Sequence, residues 1–281
     1  MSSTSGSDGS VVTDAVREAA RRGEPDRYLA ALLAPANVRG DLAALAAFSA
    51  ELARIVQIVS EPMVGEIRLQ WWRDALETMV RGESAAHPVA DALGGAIRRH
   101  HLPVALVQNI IDARSIELGI EPAADEQALG AYLDAAEATL FRLALLVLGM
   151  PAGPGQDTTV SAAARAYGIA RRPGRLLLQL HAPEISLPRP RAEPAPGQGQ
   201  DTAAREGLAM LHQEARSALA TVRAAMHALE PGSSPAFLPL AMVEPYLRAQ
   251  ERMADPLHDV ADVAPLTRVS RIWWANMRSR I

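Results

Sequence analysis

The stretch FSAELARIVQIVSE, residues 48–61, decides the fold class. At about 100° per residue its large apolar side chains fall on one arc of a helix, together with Leu45 just before it. Glu51, Arg54 and Gln57 lie roughly opposite that arc. Glu51 and Arg54 have the i, i+3 spacing of a local ion pair. The stretch therefore predicts a helix that buries one face.

The composition extends this prediction to the whole chain. Of the 281 residues 49% are hydrophobic and only 4% are aromatic, and alanine and leucine supply much of the apolar content. Such a composition favours helices, and no Asn-Gly or Asp-Gly hairpin signal separates alternating strands. The chain is long enough to bury a sizeable core. We therefore predict an all-α protein.

The absence of cysteine and lysine and the net charge exclude several classes of function. The chain has no cysteine, which rules out thiol catalysis, disulfides and cysteine-based zinc sites. All 28 basic residues are arginine, so neither a Schiff-base lysine nor a P-loop lysine exists. The net charge is −4, which does not indicate nucleic-acid binding. We expect no nucleic acid among the partners.

The chain is predicted to hold one domain with a flexible start. Residues 1–24 are interpreted as a disordered polar tail followed by a short helix, and residues 25–281 as one all-α domain. The segment 183–200 is rich in proline and glycine and predicts an extended loop. The tail lacks the apolar centre of a signal peptide, and no apolar run reaches the roughly 18 residues of a spanning helix. We therefore predict a cytoplasmic protein, with contact to a membrane surface left open.

Prolines and glycines divide the chain into predicted helices. Pro62, Pro88 and Pro103 each stand where a first helical turn tolerates proline. The predicted helices cover about 28–33, 39–59, 63–81, 88–100, 103–118, 125–149, 161–180, 202–229, 239–253 and 265–280.

No local motif predicts a catalytic or metal site. The seven histidines form neither HxxxH nor HExxH, and no GxSxG or P-loop is present. Two acids at i and i+4 share a helix face and can hold Mg²⁺, but none of the matching pairs lies inside a long apolar helix. Those pairs are Asp14/Glu18, Glu117/Glu121, Glu121/Asp125 and Asp255/Asp259.

Two helices combine arginine with paired tryptophans. In GEIRLQWWRDALE, residues 65–77, arginine and tryptophan could grip an anion and an apolar chain. The alternative is an amphipathic helix with Ile67, Trp71 and Leu76 inward. The last helix, PLTRVSRIWWANMRSRI at 265–281, has the composition of a membrane-surface or partner-docking helix. The alternative there is that its tryptophans pack on the core and its arginines are exposed.

The order of several segments resembles the squalene/phytoene synthase family. The resemblance runs from about Pro25 to the C-terminus, and SEPMVGEIRLQWWRDAL is its most specific piece. That piece looks like the branch that contains the mitochondrial complex I assembly factor and its bacterial relatives. The segments are DRYLAALLAPANVRGDLAALAAFSAELARI (26–55), SEPMVGEIRLQWWRDALE (60–77), YLDAAEATLFRLALLVLG (132–149), ARAYGIARRPGRLLLQL (164–180) and PYLRAQERMADPLHDVADVAPLTRVSRIWWANMRSR (245–280).

The resemblance implies a single-domain, isoprenoid-synthase-like helical bundle around a central cavity. The enzymes of this family condense two prenyl diphosphates, and two Asp-x-x-x-Asp motifs hold the Mg²⁺ that ionises the diphosphate. At the first motif this chain carries Ala53 and Gln57. The helix expected to hold the second motif contains no acid from Tyr167 to Leu180, and Glu184 is the nearest one.

The resemblance and these departures together predict a non-catalytic protein with a binding role or a role in respiratory-complex assembly. We expect no catalytic residue, no metal and no cofactor. The alternative is a prenyltransferase of the squalene/phytoene synthase type, which would need Mg²⁺ and a carboxylate pair reaching the cavity from another helix. Expected partners are a prenyl or lipid ligand, a protein partner and a membrane surface touched by the last helix, with the protein peripheral at the inner face of the membrane. The cavity or anion-binding candidates are Arg54, Gln57, Arg68, Gln70, Trp71, Tyr132, Tyr167 and Arg171.

Overall fold

Fourteen α-helices and no β-strand form the part of the chain that the computed structural model describes, which confirms the all-α prediction. The described residues are 13–119, 128–150, 154–181, 198–257, 259, 261–278 and 281. The first seven helices are α1 (Asp14–Gly23), α2 (Pro25–Leu33), α3 (Arg39–Ile58), α4 (Pro62–Val80), α5 (Pro88–His100), α6 (Val104–Glu117) and α7 (Ala128–Leu133). The others are α8 (Thr139–Val147), α9 (Pro154–Arg171), α10 (Gly174–His181), α11 (Gln198–Ala225), α12 (Ser234–Phe237), α13 (Val243–Gln250) and α14 (Pro265–Arg278).

Proline sets several helix boundaries where the sequence placed them. Pro62 and Pro88 occupy the first turns of α4 and α5, and Pro103 precedes α6 as its N-cap. Proline lacks a backbone N–H, which costs nothing at a helix start because the first N–H groups have no intrahelical acceptor. The predicted bounds of α3, α4, α5 and α6 accordingly agree with the observed ones within about two residues.

Three predicted segments differ from the structure. The helix predicted at 161–180 is two helices, α9 and α10, because Pro173 interrupts the hydrogen-bond ladder between them. The helix predicted at 125–149 is divided by a π-helical turn, Asp134–Ala138. The helix predicted at 239–253 is replaced by a 3₁₀ turn (Leu238–Met242) and the shorter α13, and α12 precedes both.

Part of the predicted organisation lies outside the described residues. These parts are residues 1–12 of the polar tail and 183–197 of the proline-rich loop. The predicted loop at 183–200 ends earlier than expected, because α11 already begins at Gln198.

Two apolar clusters form the interior, and α3 is central to one of them. The first cluster gathers α1, α3, α4, α5 and α6, and contains Phe48 and Trp72 with ring centroids 5.3 Å apart. The second gathers α7 to α14, and contains Phe141 stacked on Phe237 at 5.8 Å. Ala144 of α8 touches both clusters. The helix pattern found in residues 48–61 therefore provides the packing face of the first cluster.

The two helices that contain paired tryptophans do not bury all of the side chains that the amphipathic alternatives predicted from their sequences. On α4, Ile67 is 67% exposed and Trp71 is 42% exposed, whereas Leu76 is buried as predicted. The buried arc runs through Leu69 and Trp72, about one position away from the arc that the sequence suggested, because those side chains meet α3, α5 and α6.

On α14 the inward face consists of Arg268, Ile272 and Ala275. Trp273 and Trp274 are each about half exposed, so they do not fill the core. Within the described residues, no helix has both the length and the hydropathy that crossing a membrane requires.

Candidate functional site

A cavity of about 730 Å³ opens between the end of α3 and the junction of α9 with α10. Its apolar lining includes Ala53 and Val56 of α3 and Leu176 of α10. The chain after α13 closes one side, where Leu257 accepts a hydrogen bond from the backbone N–H of Arg175 at 2.9 Å. Its charged lining residues are Glu24, Glu117, Arg171, Arg172 and Arg175.

Glu24 holds one end of a buried ionic network behind this cavity. It lies between α1 and α2, and one carboxylate oxygen accepts hydrogen bonds from Arg171 Nη1 at 2.6 Å and Arg27 Nη1 at 3.1 Å. Its other oxygen accepts from the Ser49 hydroxyl at 2.9 Å. Both oxygens of this buried carboxylate therefore accept hydrogen bonds, and the donors come from three different helices.

Glu137 is the centre of the network and is fully buried. Arg27 Nη2 donates to one of its oxygens at 2.7 Å and Arg172 Nη2 to the other at 2.8 Å. Glu137 lies in the π-helical turn, and such turns are frequent at functional sites. The helix α9 approaches the turn so closely that a Cβ on Gly168 would collide with Leu133. The same Cβ would lie 3.1 Å from Glu137 Cγ, so glycine at this position gives the Glu137 side chain room.

Glu117, the last residue of α6, completes the network on the far side. Arg172 Nη1 lies 3.3 Å from both of its oxygens, and Arg114 Nη1 pairs with one of them. The Tyr132 hydroxyl donates to the same carboxylate at 2.9 Å. The buried side chains of Arg114 and Tyr132 are thereby engaged behind the cavity, which Glu117 itself lines.

Charge in the network alternates, with a surplus of one positive charge. Three carboxylates, Glu24, Glu117 and Glu137, face four guanidinium groups, those of Arg27, Arg114, Arg171 and Arg172. Burial alone would raise the pKa of each carboxyl, but the adjacent arginines override it and lower the pKa of all three. The three acids are therefore ionised at neutral pH, and each is held by at least two arginines.

Aromatic rings support the arginines and link them to α14. The guanidinium groups of Arg27 and Arg171 lie 4.8 and 5.1 Å from the centroid of the Tyr167 ring. The Tyr167 hydroxyl donates to the buried carboxylate of Asp26 at 2.9 Å. Arg268 of α14 donates to the other oxygen of Asp26 at 2.7 Å. The C-terminal helix is thus anchored to the helix that carries Arg27.

The structure brings some of the predicted site residues together and separates others. Gln57 and Arg171 both line the 730 Å³ cavity, and Arg54 lines an adjoining cavity of about 330 Å³ that also contains Gln57. The predicted pairing of Arg54 with Glu51 is present, with Nη2 2.9 Å from a carboxylate oxygen.

Tyr132 and Tyr167 lie in the core behind the cavity, where burial raises the pKa of each hydroxyl. The three candidates Arg68, Gln70 and Trp71 lie on the exposed side of α4, and none of them lines the 730 Å³ cavity. Leu69 and Trp72 occupy the packing face of α4, which turns the three candidates outward.

Sequence reasoning missed the three network glutamates as a group. Helical spacing connects Glu117 only with Glu121, and no motif includes Glu24 or Glu137. The three are separated by 93 and 20 positions in the chain, so no local spacing connects them. The one usable signal was Glu137, an acid in a mostly apolar helical stretch that also contains Asp134 and Arg142, because a buried ionised side chain needs a partner.

The comparisons with known proteins agree with the resemblance found in the sequence. The sequence profile described as squalene/phytoene synthase matches residues 20–270. A curated protein of Rattus norvegicus named NADH dehydrogenase (ubiquinone) complex I, assembly factor 6, is 35% identical over 133 residues, 47% of this chain. The Homo sapiens protein of the same name is 32% identical over the same length. The match spans 40% of the length of these relatives.

Two solved structures share the fold. A crystal structure of squalene synthase from Alicyclobacillus acidocaldarius superimposes with a TM-score of 0.62 and 16% identity, and covers 84% of this chain and 92% of that one. A dehydrosqualene synthase in complex with ligand gives a TM-score of 0.62 and 14% identity, and covers 94% and 95%. At these identities the likeness shows the fold alone.

Proposed function

Because this chain belongs to the squalene/phytoene synthase family, we propose that it is a non-catalytic member that keeps the fold and uses its cavity for binding. The observation that carries the proposal is the state of the carboxylates around the cavity. Glu24, Glu117 and Glu137 are each bound by two arginines, so their charge stabilises the fold and is not available to a metal ion.

The residues at the cavity do not fit the Mg²⁺ that the family's enzymes use. Ala53 and Gln57 stand where the resemblance places the first pair of aspartates, and both line the cavity. No acid occurs from Tyr167 to Leu180, where the second pair is expected. Magnesium prefers carboxylate oxygens with free lone pairs, and the nearby carboxylates have guanidinium groups in those positions. We therefore derive no metal-dependent step.

The chemistry of the cavity suits an anionic amphiphile. Its apolar lining residues could cover an acyl or prenyl chain, and the network beside it has one surplus positive charge. Arg171 and Arg172 line the cavity and are the guanidinium groups that an acidic head would approach. A volume of about 730 Å³ is within the range of small-molecule sites. We propose a prenyl or lipid ligand with an acidic head.

A turnover assay tests the non-catalytic part of the proposal. Purified protein is incubated with farnesyl or geranylgeranyl diphosphate and Mg²⁺, and released pyrophosphate and condensed product are measured against a buffer blank. We expect neither to exceed the blank. Turnover at ordinary enzyme rates, about 1 to 10³ per second, would support the prenyltransferase alternative. Ala53→Asp combined with Gln57→Asp is also expected to remain inactive, because the second acidic pair is absent as well.

Calorimetry tests the ligand class separately. Farnesyl diphosphate without Mg²⁺ is compared with uncharged farnesol, and the diphosphate should bind more tightly. Gln57→Glu adds a negative charge at the cavity rim and should weaken diphosphate binding by about three- to tenfold. Gln70→Glu on α4 makes the same change away from the cavity and should leave the affinity unchanged. Equal effects of the two substitutions would contradict binding in this cavity.

A role in respiratory-complex assembly is the second part of the proposal. It rests on the named relatives, which match over less than half of their length. The test is deletion of the gene in a host that makes a multisubunit NADH dehydrogenase, followed by native gel electrophoresis of that complex. We expect less of the assembled complex, with recovery upon complementation by the wild type and by Ala53→Asp/Gln57→Asp. Normal assembly of the complex in the deletion strain would contradict the proposed assembly role.

The proposed place of work is the inner face of a membrane, with the protein bound peripherally. Support comes from α14, which exposes two tryptophans beside arginine. Fractionation of cells should find the protein with membranes that have been washed at low salt and release it at high salt or alkaline pH. Recovery entirely in the soluble fraction would contradict this location.

A further inference from the structure

The outer face of α14 is an apolar surface on a helix that is already anchored by its inner face. Arg268, Ile272 and Ala275 fasten the inner side to the rest of the protein. We propose that the outer face binds anionic phospholipid bilayers, with the helix lying in the plane of the membrane surface. This inference rests on the peripheral location proposed above and names the lipid class and the side chains that recognise it.

The exposed apolar side chains of α14 fall on one arc, which also contains the exposed Ser270. They recur at helical spacing and occupy about 140° of the circumference at 100° per residue, opposite the inward face. The exposed fractions are 84% for Leu266, 48% for Val269, 49% for Trp273, 50% for Trp274 and 62% for Met277. Such an arc on a surface helix exposes more apolar area than isolated surface residues do.

Charge on α14 is complementary to an anionic surface. The helix contains arginine and no acid, although the whole chain has a net charge of −4. Arg271 and Arg278 are exposed and lie along one border of the apolar arc, and the Arg278 guanidinium lies 4.3 Å from the centroid of a Trp274 ring. The exposed acids nearby, Asp259 and Asp262, precede the helix, and Asp262 faces Arg268 at 3.6 Å.

The shape and chemistry of this face favour lipid over a protein groove. Among the described residues, helix α14 packs mainly on α2 and on the 3₁₀ turn before α13, and the side chains of its outer face are exposed. Tryptophan combines an apolar ring with a hydrogen-bond donor and is enriched at the level of lipid headgroups. Arginine at the border of the arc can reach the phosphates while the arc enters the acyl boundary.

Vesicle binding tests the inference. Full-length protein is sedimented with phosphatidylcholine vesicles that contain or lack phosphatidylglycerol, and tryptophan emission is recorded. We expect binding and a blue-shifted emission only with phosphatidylglycerol. Arg271→Gln/Arg278→Gln should weaken partitioning by about 25-fold, since each arginine near an anionic surface contributes about fivefold. Trp273→Ala/Trp274→Ala should weaken it by at least about tenfold.

A matched control lies on α4. Trp71 is similarly exposed, so Trp71→Ala should leave vesicle binding unchanged. Binding that does not depend on phosphatidylglycerol, or that Trp71→Ala lowers as much as Trp273→Ala/Trp274→Ala does, overturns the inference. A concentration-dependent dimer that the α14 substitutions abolish, without vesicle binding, would assign this face to a second copy. If vesicles fail to bind but cell membranes still retain the protein, the peripheral location stands and the lipid inference falls.

Discussion

The wall of the cavity and the outer face of α14 both depart from the usual distribution of polar and apolar groups. The first buries charged side chains, and the second exposes apolar ones. Glu24 and Glu137 are charged and buried and the side chain of Glu117 is only 8% exposed, whereas Trp273 and Trp274 are apolar and half exposed. Ionised groups enter a protein interior only with partners, and large apolar arcs stay on a surface mainly where something covers them. The charges of the first region are paired within the protein itself, whereas the apolar side chains of the second are left exposed.

The two regions also differ in what their loss should do. Changes in the ionic network should lower the stability of the folded chain, because its charges are paired inside. Changes on the outer face of α14 should leave stability nearly unchanged and alter only binding. Changes at Asp26 and Arg268 should have an intermediate effect on stability, since these residues connect α14 to the helix that carries Arg27.

The largest effect is expected from Glu137→Gln. This substitution leaves Arg27 and Arg172 without their shared carboxylate, and removing one partner of a buried ion pair costs about 3–5 kcal/mol. The free energy of unfolding in urea measures the loss. Glu51→Gln is the control, because its pair with Arg54 is largely solvated and should contribute about 0–1 kcal/mol. Equal losses would mean that the network does not stabilise the fold.

Acid should weaken the same region without any mutation. The pKa values of Glu24, Glu117 and Glu137 lie below the ordinary value of 4.5, because the arginines outweigh burial. Their contribution is therefore complete above about pH 4.5 and is lost as the pH falls toward the lowered values, since protons then bind more readily to the unfolded chain. Unfolding titrations between pH 7 and pH 3 measure this decline. Glu137→Gln should show a shallower decline, and a stability that rises with acid would contradict the assignment.

A smaller loss is expected where the two regions are joined. Arg268→Gln removes a charged donor from the buried Asp26 carboxylate, which keeps the hydroxyls of Tyr167 and Tyr246. Losing one hydrogen bond to a charged group should cost about 1.5–3 kcal/mol. Arg271→Gln on the exposed side of the same helix is the control and should not change the urea midpoint. If both variants unfold like the wild type, α14 is held by its apolar contacts alone.

The smallest change in stability is expected on the outer face of α14. Trp273→Ala/Trp274→Ala should lower the free energy of unfolding by less than about 1 kcal/mol, because both rings are half exposed and leave no core cavity. Trp72→Ala is the contrasting variant, since its buried ring packs on Phe48 and its loss should cost about 3–5 kcal/mol. A large loss in the α14 variant would show that its tryptophans belong to the core.

Much of the helical framework was predictable from local chemistry. The prolines at the starts of α4 and α5 fixed those boundaries, because proline is tolerated in the first turn and breaks the interior of a helix. The Glu51–Arg54 pair was predictable from i, i+3 spacing. The family resemblance is confirmed as well, and with it the fold. The break at Pro173 should have been predicted by the same rule, and the π-helical turn had no clear local signal.

The sequence by itself determined the helices, the absence of lysine and cysteine chemistry, and the residues Ala53 and Gln57 at the cavity. Only the tertiary structure decided which glutamates meet arginine there, that Trp72 is buried beside an exposed Trp71, and that Trp273 and Trp274 are both half exposed. Helix periodicity depends on neighbours three or four positions apart, so it can be read along the chain. The ion pairs that Glu24, Glu117 and Glu137 form with arginine depend on side chains of other helices. So does the outward orientation of Trp71. Packing brings those helices together from distant parts of the chain.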